Sequence, residues 1–239
     1  MKKIFCLVLV LLVVSSGIQS QDLKLEEILA KYYRASGFDK LQNMKTIVMT
    51  GTLVQQDAMP VKITKMRPDK YKMDFEVQDI PAVQAYDGQK AWMIAPWTGN
   101  SAPQVMPEAR AKDMKNRADF DGALFNYQTK GHKAELIGQE TTDSIPVYKI
   151  KFTKNDGGIE YYLINAKDFL MHKRISFRVA NGQEIEMETF YKDNKVVGGV
   201  IFPFVSETRI GGNLINRIEF DNIEFNIQVD EKTFEMPSK

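Results

Sequence analysis

Three acidic side chains alternate along one short run: Glu184, Glu186 and Glu188. Carboxylates at every second position of a strand share a face, where they could relay protons or hold calcium. The same alternation puts Ile185, Met187 and Thr189 on the opposite face, so the run equally describes a strand with one solvated side. The two histidines, His132 and His172, stand far apart, and neither belongs to a metal-ligand spacing. Asn155-Asp156-Gly157-Gly158 opens like a calcium loop, but no ladder of acids follows it, and it reads as a hairpin turn. There is no nucleophile elbow, no Walker loop and no paired-glycine dinucleotide turn. The one cysteine, Cys6, lies in an apolar run at the N-terminus, which leaves no thiol chemistry for the rest of the chain. The expectation is a non-enzyme with no metal and no cofactor.

That apolar run looks like an export signal. Lys2 and Lys3 precede it, and Ile4 to Val14 is uncharged throughout, too short to span a bilayer. Cleavage is expected after Ser20, with Gly17 as the other candidate and an uncleaved anchor as the competing reading. Residues 1–20 are then a signal peptide and 21–239 a single domain. Cys6 stands too early to carry a lipoprotein's lipid. Without Lys2 and Lys3 the chain has 30 basic against 31 acidic side chains, so its net charge is near −1. No basic stripe stands out, and nucleic acid is not an expected partner.

Lys70 to Val77 shows the pattern that governs the rest. Tyr71, Met73, Phe75 and Val77 alternate with Lys70, Lys72, Asp74 and Glu76, giving a strand with one apolar side. Before it, Leu25, Ile28, Leu29, Tyr32 and Tyr33 recur at helical spacing, and Gly37 ends the run. Phe38 to Asn43 adds a turn. Thr46 to Val54 and Met59 to Met66 read as strands. Pro81 to Tyr86 and Lys90 to Ile94 form a hairpin about Asp87-Gly88. Ala95 to Gln128 breaks the pattern: first a loop, then a helix from Pro107 to Arg117. A second short helix is predicted from Phe120, Ala123, Leu124 and Tyr127.

Strands then return to the end of the chain. Among them are Val196 to Phe204, Val205 to Ile210, Asn213 to Phe220 and Ile223 to Val229, with Asp193-Asn194 and Gly211-Gly212 read as turns. The count is about ten or eleven, enough for a twisted antiparallel sheet to curl into a barrel or half-barrel.

Twelve Met, fourteen Phe, nine Tyr and two Trp supply adaptable apolar surface. The expectation is an apolar groove under a helical lid. On the sheet its residues are Met49, Leu53, Ile63, Tyr71, Met73, Phe75, Trp92 and Ile94. On the lid they are Met114, Phe120, Leu124 and Phe125. The same residues could instead make an ordinary core.

Several local sequences carry a resemblance. They are Arg67-Pro68-Asp69-Lys70-Tyr71-Lys72, Tyr86-Asp87-Gly88-Gln89-Lys90-Ala91-Trp92, and Leu136-Ile137-Gly138-Gln139-Glu140 leading into Pro146-Val147-Tyr148-Lys149-Ile150. Gly199-Val200-Ile201-Phe202-Pro203 and the ending Phe225-Asn226-Ile227-Gln228-Val229-Asp230, Phe234, Pro237 complete them. In this order they resemble the LolA/LolB-like lipoprotein-carrier superfamily, over most of the chain after the leader. The resemblance implies a mainly β fold: a curved antiparallel half-barrel of about eleven strands, covered by an N-terminal helix and a mid-chain helical insertion. It also implies a cavity for the acyl chains of lipoproteins or lipids crossing the periplasm to the outer membrane. Partners would then be acylated cargo, an inner-membrane donor complex and an outer-membrane acceptor. With no lipid-bearing cysteine, the chain is similar to the soluble, LolA-like kind. The alternative is a non-catalytic envelope binding or scaffold module with a solid core.

Overall fold

The computed structural model describes residues 23–180 and 182–238; the expected leader, with Cys6 and the expected cleavage site, lies outside them. The first amphipathic run forms α1 (Leu25–Ala35). Glu27 reaches back to accept the Lys24 amide, 3.0 Å away, and Arg34 sits in the last turn, so charge suits the helix dipole at both ends. Ile28 and Leu29 are its buried face. Gly37 ends the helix at φ +71°, and a Cβ there would meet the Gly199 carbonyl oxygen at 2.1 Å. The short α2 (Phe38–Leu41) follows.

The strands are β1 (Thr46–Val54), β2 (Ala58–Met66), β3 (Lys70–Val77), β4 (Ile80–Tyr86), β5 (Ala91–Ala95) and β6 (Asn100–Val105). Then come α3 (Glu108–Ala118) and an irregular stretch to His132. β7 (Lys133–Thr142), β8 (Ile145–Thr153), β9 (Ile159–Asn165) and β10 (Met171–Ala180) resume the sheet. β11 (Gln183–Val197), β12 (Val200–Ile210) and β13 (Asn213–Phe225) complete it, and Glu231–Phe234 forms a final 3₁₀ turn.

All thirteen strands join one sheet in the order β6-β5-β4-β3-β2-β1-β13-β12-β11-β10-β9-β8-β7. Neighbours are antiparallel, and β6 and β7 are free edges, so the sheet is an open half-barrel. The first six strands step outward from β1 to one edge. The chain then crosses to the far edge and steps back until β13 pairs with β1. Residues 106–132 make that crossing, and topology therefore carries them over the open face.

Three expectations need correction. Phe120 to Tyr127 is not a helix but a series of turns, with Gly122 and Asn126 in left-handed conformation. Its apolar spacing reflects burial of Phe120 and Leu124 against the sheet, which irregular backbone achieves equally well. Part of the expected loop is β6, paired with β5. The last strands are fewer and longer than expected. Asp193-Asn194 lies inside β11, and the true turn is Gly198-Gly199.

The inner face packs in two blocks. Under α2 and α3, residues from β1–β5 such as Leu53, Ile63, Tyr71 and Met93 bury with Phe38, Met114 and Phe120. Under α1, Ile150, Phe152, Tyr162 and Ile164 bury with Ile28, Leu29 and Leu124. On the other face, Trp92 donates from Nε1 to the Phe234 carbonyl at 2.7 Å, which fixes the C-terminal tail to the back of the sheet.

Candidate ligand-binding cavity

Between the two blocks the packing opens. A cavity of about 870 Å³ lies between α1, the crossing segment and the inner face of β9–β11. α1 contributes Tyr32 and Tyr33; the crossing contributes Asp119, Leu124, Phe125 and Lys130; the sheet contributes Glu160, Tyr162, Arg174 and Tyr191. A smaller recess of about 270 Å³ adjoins it, sharing Tyr32, Phe38, Lys65 and Asp121. Tyr33 anchors the roof: its hydroxyl donates to the Leu124 carbonyl at 2.7 Å, and its ring meets Phe38 and Phe125 at 5.4 and 5.5 Å.

The residues expected to line a groove divide into three groups. Leu124 and Phe125 line the main cavity, and Met49 and Phe120 line the recess. Leu53, Ile63, Tyr71, Met73 and Met114 are buried in the β1–β5 block, with Phe75 packed against it. α3 fills that half, so the groove expected there is closed by the protein's own side chains. Trp92 and Ile94 belong to the opposite face, where Trp92 is 2 % exposed beneath the C-terminal tail. Alternation along β5 separates them from Ala91, Met93 and Ala95 on the inner side.

Of the chemically capable residues, Glu184 and Glu186 are exposed, and Glu188 receives Lys173 Nζ at 2.8 Å. His172 lies 3.5 Å from Asp143. His132 is at the cavity wall, where its Nδ1 accepts the Asn155 amide at 3.0 Å. Burial, with nearby Lys130, holds its pKa below the usual histidine value, in keeping with an imidazole that accepts. Among the described residues no group of three or more His, Cys, Asp or Glu gathers as metal ligands.

The wall is also charged, which the oily groove of the sequence reading did not include. Lys65 follows Val61 and Ile63 on the inner side of β2 and donates to the Asp119 carbonyl at 2.6 Å. Burial lowers its pKa to about 8, against the opposing pull of Asp119 and Asp121. Lys130 pairs with Asp119 at 2.6 Å, Lys154 with Glu160 at 3.1 Å, and Lys112 with Asp156. Burial pushes the Tyr32 hydroxyl up to about 12, with Tyr191 adding to it, and burial beside Glu160 raises Tyr162 further. These phenols stay protonated at neutral pH. The sequence signal for Lys65 was a charged side chain in phase with the apolar Val61 and Ile63, whereas Arg174 alternates with His172, Ser176 and Arg178 and carried no such signal.

No protein-family model and no curated protein matches the chain. Solved structures do match. A DUF1329 family protein from Desulfovibrio piger superposes with a TM-score of 0.62 at 13% identity, over 87% of this chain and 97% of that one. A LolA superfamily protein from Nitrosomonas europaea gives 0.61 at 13%, over 89% and 98%. This chain shares the fold of both proteins. A domain from Vibrio parahaemolyticus, assigned to an outer membrane lipoprotein-sorting protein, shares the LolA-like fold at 0.61 and 8% identity, over 87% and 94%. At these identities the likeness establishes architecture, and the cavity must be judged by its own residues.

Proposed function

We propose that this chain is a non-catalytic carrier that takes up the acyl chain of a lipid or lipoprotein and moves it through the periplasm toward the outer membrane. The cavity carries this reading. A space of about 870 Å³ falls within the ~300–1,000 Å³ range of small-ligand pockets. Leu124, Phe125, Leu170 and Met171 give it apolar surface. Each buried methylene contributes about 0.8 kcal/mol, so a long chain gains on the order of 10 kcal/mol on leaving water. Uptake needs no covalent step, which suits a wall whose acids and lysines are largely paired with one another.

The leader-like N-terminus supports export, with the signal removed near Ser20. The named Vibrio parahaemolyticus domain supports a sorting role at the level of analogy. Acylated cargo, a donor at the inner membrane and an acceptor at the outer membrane are the partners this role requires. The solid-core scaffold reading draws support from the filled β1–β5 half, but it leaves the open half without a purpose. Organic extraction of gently purified, exported protein followed by mass spectrometry is expected to release a stoichiometric lipid. Protein that emerges lipid-free, and that takes up no lipid from vesicles, would favour the scaffold.

A further inference from the structure

We infer that the cavity seats an anionic amphiphile, its carboxylate or phosphate head held by Arg174 beside Tyr191 and its chain lying against Leu124, Phe125, Leu170 and Met171. The inference rests on the carrier reading and names the class of its cargo.

Arg174 sits mid-strand on β10, opposite Tyr162 of β9 and Thr189 of β11, and Tyr191 is two residues further along the same face of β11. Arg174, Tyr162 and Tyr191 all line the cavity. Three lysines of the wall differ from this arginine in having carboxylate partners: Lys112, Lys130 and Lys154. Among the described residues Arg174 forms no ion pair, and its Nε is buried without a hydrogen-bond partner. Glu160, the nearby acid, is occupied by Lys154 at 3.1 Å and by the Tyr162 hydroxyl, which donates to it at 2.9 Å. On the β9–β11 wall, Arg174 and Tyr191 bring donors to the space that no carboxylate among the described residues holds. A guanidinium fork matches a carboxylate or phosphate, and a buried N–H such as Arg174 Nε is costly without an acceptor. A neutral head can accept one hydrogen bond but neither balances the charge nor matches both arms of the fork.

The cationic surplus extends the preference along the wall. Lys65 donates a hydrogen bond to a backbone carbonyl and not to a carboxylate, and Lys115 lines the cavity without an ion pair among the described residues.

The experiment compares two probes of equal length, palmitate and hexadecanol, on the purified full chain by displacement of a fluorescent lipid. Palmitate is expected to bind at least about tenfold more tightly, and Arg174→Gln is expected to bring the two affinities together. Arg174→Lys keeps the charge but loses the fork, and is expected to lose most of the preference; it serves if Arg174→Gln does not fold. Equal binding of the two probes by the unaltered chain would overturn the head-group assignment and leave the carrier reading standing. Uptake of neither would overturn the carrier reading, and this inference with it. Displacement by inorganic phosphate at the concentrations where palmitate acts would assign the site to a free anion instead.

Discussion

Arg67 ties three parts of the chain together. Both terminal nitrogens donate to the Asp121 carboxylate, at 2.7 and 2.5 Å, while Nε donates to the Met44 carbonyl at 2.7 Å and one terminal nitrogen to the Leu41 carbonyl at 3.1 Å. Its guanidinium also lies 4.2 Å over the Phe120 ring. The crossing segment is thereby fixed to the end of β2 and to the α2–β1 link. Replacing it with methionine strands a carboxylate and two carbonyls, and is expected to cost about 2–3 kcal/mol in urea unfolding, a partly solvated pair falling below the fully buried case. Lysine is expected to recover little, since it lacks the fork. Lys65 gives a pH test. Folded, it loses its proton near pH 8; exposed, it holds it to about 10.5. Between those values the unfolded chain binds the extra proton, so the penalty for burying this amine fades as pH rises. The stability of Lys65→Met relative to the unaltered chain is therefore expected to fall by about 1–3 kcal/mol from pH 7 to pH 10, measured by denaturant melts. A difference flat across that range would count against it. Neither residue's role was legible beforehand. Alternation says which side chains share a face, but only the covering helix decides which face is inside.

At the scale of elements, strong periodicity was read correctly and weak periodicity was not. The eleven residues of α1 and the clean alternation of β3 were visible because one physical pattern governs each of them. Phe120 to Tyr127 had helical spacing by coincidence of burial, and Asp193-Asn194 had turn composition inside a long strand held on both sides. The β1–β13 seam was not legible, because it joins residues from opposite ends of the chain. Its tightest point is Gly51, where the register shifts and an added Cβ would lie 2.0 Å from the Glu219 carbonyl oxygen. Gly51→Val is expected to cost more than about 3 kcal/mol, since backbone and not a flexible side chain must give way. On the back of the sheet, Trp92→Phe keeps the ring packing and drops the bond to Phe234. A loss of about 1 kcal/mol is expected, with the C-terminal tail becoming easier to cleave by limited proteolysis.

For the whole molecule, the decisive feature is the crossing from one sheet edge to the other. A chain that builds one half-barrel outward and the other inward must span the mouth between its edges, and the spanning segment becomes a lid. The β1–β5 side is sealed by α3, whose Met114 and Ala118 are buried in it. The β9–β11 side meets only turns and one face of α1, and there the space remains. Fold class was legible because even ten or eleven alternating strands leave few architectures, and the structure's thirteen extend the same pattern. The location of the cavity was not, because it depends on where the lid stops packing. Ala123, half-buried on the lid and at the cavity wall, offers the direct test. Ala123→Trp should fill the space from above. Saturable, one-to-one uptake of a fluorescent fatty acid by the full chain is expected to weaken at least about tenfold in this variant, with the melting temperature held. Uptake unchanged by the added ring, or absent from both proteins, would contradict a cavity that carries an acyl chain.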